Sequence, residues 1–145
     1  MKKEQRKEKR KPINNWSGIR PDVEDYVGFL YKIYDAQEDM YYIGQKTLWN
    51  KIRRKPLKGK KRVRLDRNES DWRHYFGSNP FIKSEVEAGN HNRFKGEILK
   101  YYKSKSRLNF EEFKLIWDAI VIRKDPNCYN KVLNIRLNLD KLKDE

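Results

Sequence analysis

The chain has 145 residues, enough for one domain with a modest core and too few for two. Its 35 Lys and Arg against 21 Asp and Glu give a net charge of +14, which favours a polyanionic partner. We expect nucleic acid; an anionic membrane surface and simple solubility are the alternatives. No stretch approaches the roughly 18 apolar residues of a spanning helix, and the basic N-terminus lacks the apolar segment of a signal peptide.

Cys128 is the only cysteine, which excludes an internal disulfide and zinc sites built from several cysteines. A reducing cytoplasm is therefore the expected compartment. We expect Cys128 to be a small core residue.

Residues 1–25 are expected to form a basic, flexible N-terminal arm. Residues 1–12 hold seven basic and two acidic side chains without apolar periodicity. Such an arm suits contact with phosphates, and a solubilising tail is the alternative. The folded domain is expected to span residues 26–145.

An antiparallel hairpin is predicted at the start of that domain. Residues 26–34 are rich in aromatic and β-branched side chains, as strands are. Residues 35–39 form a polar break, and residues 40–44 resume the strand pattern. Two strands with a short connection favour a hairpin.

A basic insertion occupies residues 47–71. Between 51 and 67, ten basic residues face the single acid Asp66, and Pro56 and Gly59 interrupt the run, which predicts a long surface loop. The predicted DNA-binding side chains are Lys51, Arg53, Arg54, Lys55, Lys58, Lys60, Lys61, Arg62, Arg64 and Arg67. Because the arm and this loop hold about half of the 35 basic residues, the charge indicates a binding surface.

Two helices and a third strand are predicted in the remaining chain. Pro80 behind a cap and Gly89 as a stop predict a helix over 80–88, and residues 93–102 predict a strand. A longer helix over 108–122 follows. Its expected buried stripe is Phe110, Phe113, Ile116, Trp117, Ile120 and Val121. Pro126 is expected to end it, and an amphipathic tail carries Val132, Leu133, Leu137 and Leu139. The fold class is α+β: a small antiparallel sheet of about three strands flanked by helices.

Two neighbouring acids on the long helix point in different directions. At about 100° per residue, Glu112 lies beside the Ile116 edge of the apolar stripe, whereas Glu111 points away from it. A carboxylate at the rim of a buried stripe can hold a hard cation in a cleft. A solvated acid on the helix surface is the alternative.

The order and spacing of several motifs resemble a nuclease family. Phe29-Leu30-Tyr31 is followed, eleven residues after its tyrosine, by Tyr42-Ile43-Gly44. Asp71-Trp72-x-x-Tyr-x-Gly-Ser, Glu112 and Cys128-Tyr129-Asn130 come next. This pattern, over about residues 26–137, resembles the GIY-YIG endonucleases and is most similar to small phage-encoded Seg-type members. In the first motif Phe and Leu replace the family's Gly and Ile.

The resemblance implies a metal-dependent endonuclease that hydrolyses phosphodiester bonds in double-stranded DNA. It implies Mg²⁺, or another divalent cation such as Mn²⁺, held by Glu112, with no small-molecule cofactor and no membrane partner. Tyr31 is implied to orient or deprotonate the attacking water. Tyr42 is implied to share its hydrogen-bond network.

The remaining catalytic candidates are polar residues that the resemblance places near the phosphate. Family members often carry an arginine after the second motif; Arg73 is the expected substitute, with Lys46 and Arg67 as competitors. His74 is a second candidate for charge stabilisation, or a surface histidine. Asn130 is expected to anchor the site or touch DNA, or to be a simple turn residue.

Two other functions stay open at this stage. A non-catalytic nucleic-acid-binding protein would need residues 51–67 but not Tyr31 or Glu112. A catalytically inactive GIY-YIG relative is the second alternative. Phage origin would place the protein in the host cytoplasm, with homing, restriction or attack on foreign DNA as its role.

Overall fold

The computed structural model describes residues 11–131 and 133, and an α+β fold confirms the predicted class. The strands are β1 (Gly28–Asp35), β2 (Met40–Thr47), β3 (Trp49–Arg54), β4 (Arg64–Glu69) and β5 (Phe94–Tyr102). The helices are α1 (Pro80–Glu87) and α2 (Lys105–Trp117). Strands β2, β1 and β5 form an antiparallel sheet in that order, so the hairpin and the third strand are confirmed. No helix in this part of the chain combines the length and apolarity needed to cross a bilayer.

Each face of the sheet carries a core, because side chains alternate along a strand. On one face, Phe29, Tyr31 and Ile33 pack with Trp16 and Trp72. The members of the core on the other face are Leu30, Tyr102 and Leu108, together with Ile43, Ile116, Ala119 and Cys128. Cys128 is thus a core residue, as predicted.

The inner face of α2 differs from the predicted stripe. Leu108, Ile116 and Ala119 are buried, whereas Trp117 is 42% exposed and stacks on Phe113 with ring centroids 5.9 Å apart. At about 100° per residue, an inner face centred on Leu108 and Ala119 also includes Glu112. The stripe was wrong because bulky aromatic side chains were weighted above Leu108 and Ala119, which fit close to the sheet.

The bounds of α2 also differ from the prediction. Ser104 caps its start by accepting a hydrogen bond from the backbone N–H of Arg107 at 3.2 Å, so the helix begins three residues early, at Lys105. The α-helical part ends at Trp117, and a π-helical turn, Asp118–Ile122, continues it. The shorter helix α1 confirms its prediction, with Asn79 as the cap and Pro80 in the first turn.

The basic insertion is not a loop. Strands β3 and β4 pair antiparallel from Trp49 opposite Glu69 to Arg54 opposite Arg64, as a two-stranded sheet of their own. We call residues 49–69 the basic ribbon. The loop prediction was wrong because Pro56 and Gly59 lie in the turn between the strands, where they do not interrupt the pairing.

Residues 11–25 fold onto the domain, whereas a flexible arm is predicted there. Trp16 is buried, and its indole Nε1 donates to the Trp72 carbonyl at 2.8 Å. Ser17 pairs with β5 through hydrogen bonds to Gly96 and Ile98 at 3.0 and 2.9 Å. Burial of one tryptophan outweighs the basic composition around it. Residues 1–10 and most of the predicted C-terminal tail, including Val132, Leu137 and Leu139, lie outside the described residues; Leu133 packs against the Ile43 core.

Buried Asp35 connects the end of β1 to three other parts of the chain. Arg93 contacts its two carboxylate oxygens at 2.9 and 2.7 Å, Tyr129 donates its hydroxyl at 2.6 Å, and the backbone N–H of Gln37 donates at 3.1 Å. Burial alone would raise the pKa of Asp35, but these partners together hold the pKa below its usual value. One carboxylate therefore fixes the segment that leads to Asn130.

Replacing Asp35 by Asn should lower the free energy of unfolding by about 3–5 kcal/mol, the usual cost of breaking a buried ion pair from one side. The pKa of Asp35 is lower in the folded than in the unfolded chain. Its contribution is therefore complete above the ordinary value of 3.8 and is lost as pH falls through the lower folded value. Urea unfolding at pH 7 and pH 3 should show a smaller difference between wild type and Asp35→Asn at pH 3.

Asp66→Asn is the matched control, because Asp66 forms an exposed pair with Arg54. We expect no measurable change in the free energy of unfolding for this variant. Equal destabilisation by the two substitutions would contradict the role given to Asp35.

Candidate active site

The side chain of Tyr31 crosses the neighbouring strand at Gly44, its pairing partner on β2. A Cβ at position 44 would stand 2.5 Å from Cζ of Tyr31 and nearer still to its hydroxyl. A Cβ at Gly77 would lie 3.3 Å from the same hydroxyl. The glycine that ends the second motif therefore provides the space that a buried tyrosine occupies.

Two further tyrosines surround Tyr31. The ring centroids of Tyr42 and Tyr75 lie 6.3 and 5.9 Å from that of Tyr31, and the Tyr42 hydroxyl hydrogen-bonds Ser78 Oγ at 2.7 Å. Burial raises the pKa of Tyr31 well above its usual value, and Tyr75, Tyr42 and Glu112 act in the same direction. Burial also raises the pKa of Tyr42. Both phenols are neutral at physiological pH in this arrangement.

Glu112 approaches this cluster from α2. Its Oε2 atom is buried and has no hydrogen-bond partner among the described residues. Burial raises the pKa of Glu112, while a hydrogen bond with Gln45 and the charge of Lys105 act against that shift. Buried carboxylate oxygens without a partner are rare, because leaving one unsatisfied costs free energy. This oxygen is the kind of ligand that a hard divalent cation takes.

Gln45 orders the polar groups around Glu112. Its Nε2 donates to Asn109 Oδ1 at 2.7 Å, and Lys105 Nζ donates to its Oε1 at 2.7 Å. Burial lowers the pKa of Lys105, and the charge of Glu112 opposes that change. Our sequence analysis missed all three residues. The signal was available, since Lys105, Asn109 and Glu112 recur at the spacing of one helix face.

Lys46 brings a positive charge to the same tyrosines. It lies two residues beyond Gly44 on β2, which places it on the Tyr42 side of the strand. Its Nζ is 4.2 Å from the centroid of the Tyr75 ring and 2.6 Å from Asp71 Oδ1. Only 18% of the Lys46 side chain is exposed, so its charge is partly shielded from water.

The other predicted cations point elsewhere. Arg73 Nε contacts Glu69 Oε1 at 2.8 Å, and its guanidinium covers the Trp72 ring at 4.3 Å. The nearest printed partner of His74 Nδ1 is the carbonyl of Pro12, at 3.2 Å. Arg67 stacks over Trp49 at the base of the basic ribbon. None of these contacts reaches Tyr31 or Glu112.

Asn130 holds the edge of β2 in place. Its side-chain oxygen accepts from the Ile43 N–H and its side-chain nitrogen donates to the Ile43 carbonyl, both at 2.8 Å. Asn130 is buried, and these two hydrogen bonds satisfy backbone groups that an edge strand would otherwise leave open. The structure thus places Asn130 as a backbone clamp between the two positions, 42 and 44, that shape the tyrosine cluster.

A metal at this site would have few protein ligands. No group of three or more His, Cys, Asp or Glu side chains suited to an ion occurs within residues 11–131 and 133. Glu112 is the acid that lies beside the tyrosines. A single carboxylate fits Mg²⁺, which commonly keeps several waters and takes substrate phosphates as further ligands.

A family model with the description "Putative endonuclease segE, GIY-YIG domain" matches residues 3–134. The matched span covers most of the chain and contains the tyrosine cluster, Glu112 and Asn130. No curated protein and no solved structure matches the chain.

Replacing Gly44 by Ala should destabilise the protein by about 1–3 kcal/mol, the usual cost of overpacking a core. The added Cβ would overlap the phenol of Tyr31, which is buried and cannot move aside freely. Urea unfolding measures the change. Thr47→Ala, at a half-buried position on the same strand, is the control and should have a smaller effect. A Gly44→Ala protein as stable as wild type would show that Tyr31 has room to move.

Proposed function

The chain belongs to the GIY-YIG endonuclease family, and we propose that it is a metal-dependent nuclease that hydrolyses phosphodiester bonds in double-stranded DNA. The observation that carries the proposal is the buried, unpartnered Oε2 of Glu112 beside the neutral hydroxyls of Tyr31 and Tyr42. Hydrolysis needs a positioned water, stabilisation of developing negative charge, and neutralisation of the leaving oxygen. The residues around this cluster are suited to each requirement.

Glu112 is the proposed ligand of the divalent cation, Mg²⁺ or Mn²⁺. When bound, such an ion polarises the phosphodiester and neutralises charge on the leaving oxygen. Gln45 fixes the direction of the carboxylate through its hydrogen bond. A nearby positive charge favours the ionised carboxylate, which offsets the effect of burial on Glu112.

Tyr31 and Tyr42 are proposed to orient the attacking water through their hydroxyl groups. Burial of Tyr31 raises its pKa, so the neutral phenol suits hydrogen bonding better than proton abstraction. Of the two roles expected for Tyr31, we therefore favour orientation. Gly44 and Asn130 support that role indirectly, because they fix the strand that Tyr31 crosses.

Lys46 is proposed to stabilise the phosphate, in place of Arg73. Lys46 is held against Tyr75, the ring that also contacts Tyr31, whereas Arg73 is paired with Glu69 on the exposed side of its turn. A partly shielded ammonium interacts more strongly with a phosphate than a solvated one does.

Double-stranded DNA is the proposed partner of the basic ribbon. All ten basic side chains predicted to bind DNA lie on the ribbon and are exposed. Phosphate contacts of this kind release counterions and make affinity depend strongly on salt. A homing role, which requires cutting at few sites, remains a prediction.

The first test is nicking of supercoiled plasmid with and without Mg²⁺. Wild type should nick or linearise the plasmid only with metal. Glu112→Gln should be slower by more than about 100-fold, since losing even an indirect support of a metal ligand costs 10–100-fold. Glu111→Gln is the matched control: Glu111 is the adjacent acid on α2 and pairs with Lys114 on the helix surface, so its loss should change the rate by less than about threefold.

Folding and DNA binding must be equal for the three proteins at one salt concentration. Equal binding without cutting by wild type, across Mg²⁺, Mn²⁺ and several DNAs, would favour the non-catalytic or inactive alternative. Equal cutting by Glu112→Gln and wild type would remove Glu112 from the metal site.

Lys46→Met and Arg73→Met distinguish the two candidate cations. Loss of a group that stabilises transition-state charge costs about 100-fold or more in kcat, so Lys46→Met should lower the nicking rate by that amount. Arg73→Met should lower it by less than about threefold, because Arg73 lies outside the tyrosine cluster. Rates are to be measured at saturating protein, which separates kcat from DNA affinity. The reverse ranking would return the role to Arg73.

A further inference from the structure

The basic ribbon projects from the domain with both of its faces accessible. Strands β3 and β4 pair with each other and form no ladder with the central sheet. Every residue of β4 is exposed, and in β3 only Trp49 and Ile52 are half-buried. At about 3.3 Å per residue, strands of six residues span roughly 20 Å. The ribbon is therefore long enough to reach well into a substrate.

The base of the ribbon is tied to the active-site strand. Leu48 alone separates β2 from β3, and it is 1% exposed. Trp49 Nε1 donates to the Tyr26 carbonyl at 3.0 Å, and the Arg67 guanidinium stacks on Trp49 at 4.0 Å. These contacts fix the direction of the ribbon relative to Tyr42 and Gly44. A substrate held by the ribbon is thus held at a set position relative to the tyrosine cluster.

The exposed side chains of the ribbon suit the reading of base edges as well as contact with phosphates. Asn50 lies opposite Asn68 on one face, and Arg54 lies opposite Arg64 on the same face. Arg53 lies on the other face. Arginine pairs with guanine O6 and N7, and asparagine pairs with adenine N6 and N7, in the major groove. A surface that contacted only phosphates would have no use for the asparagine pair.

We propose that the basic ribbon enters the major groove of duplex DNA and selects the sequence that is cut; this inference rests on the proposed function for its ligand. A major groove about 12 Å wide admits a two-stranded ribbon, whereas a minor groove of about 6 Å does not. The deep, narrow major groove of duplex RNA is closed to such an element. Because the ribbon is tied to β2, cleavage occurs at a fixed offset from the bases that it reads.

A binding experiment tests the ribbon without depending on cleavage. The Glu112→Gln protein selects duplexes from a random-sequence pool, and the selected duplex is partly methylated with dimethyl sulfate. Methyl groups at guanine N7, in the major groove, should reduce binding by about tenfold or more. Methyl groups at adenine N3, in the minor groove, should have little effect. Enrichment of no sequence, interference only at adenine N3, or equal affinity for a matched RNA duplex would overturn the proposal.

Two variants connect that binding to the ribbon. Arg53→Gln/Arg64→Gln changes the strands, and Lys58→Gln/Lys61→Gln removes the same number of charges from the turn. The strand variant should lose the guanine N7 interference, whereas the turn variant should lose affinity and salt dependence but keep the interference pattern. An interference pattern that survives the strand substitutions, in a protein with the wild-type melting temperature, would exclude these two arginines as base readers.

A shortened ribbon provides a variant that does not depend on the choice of side chain. An Asn-Gly turn that joins Ile52 to Asp66 keeps these paired residues in register. Sequencing of plasmid ends should show a base preference at fixed offset for wild type and none for the shortened protein. A preference retained by the shortened protein would overturn the proposal. Interference at guanine N7 without any plasmid cleavage would instead keep the ribbon as a reader of DNA and reject the nuclease.

Discussion

Strand β2 lies at the edge of the sheet, and the candidate active site depends on how that edge is held. Pairing with β1 fixes one side of the strand, and the side-chain amide of Asn130 satisfies the Ile43 N–H and carbonyl on the other. Between them, Gly44 leaves room for Tyr31 to cross the strand. Glu112 from α2 therefore acts at the same place as a tyrosine from the opposite face. A side chain at position 44 would separate the two groups.

The electrostatics of this arrangement explain why a cation suits it. Burial raises the pKa of both Tyr31 and Glu112 and lowers that of Lys105, so each of these groups is driven towards its neutral form. A divalent ion among them, with phosphate oxygens, would favour the ionised carboxylate and supply the partner that Oε2 lacks. The groups are held by neighbours such as Gln45 rather than by each other. Their positions therefore do not depend on prior ion binding.

The sequence predicted those parts of the site that follow from local spacing. The eleven residues from Tyr31 to Tyr42 fit a hairpin with a short turn, and that hairpin places the two motifs side by side. The inward direction of Glu112 needed Leu108 and Ala119 as the true inner face of α2, which a stripe built on the largest side chains missed. The choice between Lys46 and Arg73 depended on contacts across the chain, with Tyr75 and Glu69, which no local pattern encodes.

Composition misled at the two basic segments for one physical reason. Charge tells where a chain is solvated, but pairing and burial of a few other residues decide whether it is ordered. Trp16 folds the end of the supposed arm onto the sheet, and cross-strand pairing orders the ribbon although its side chains are exposed. In the interior, cations have acidic partners, as Arg93 has Asp35 and Lys46 has Asp71. The exposed ribbon instead carries ten basic residues against Asp66 and Glu69. Its positive charge is therefore placed outside the cores, where it attracts a polyanion at little cost to folding.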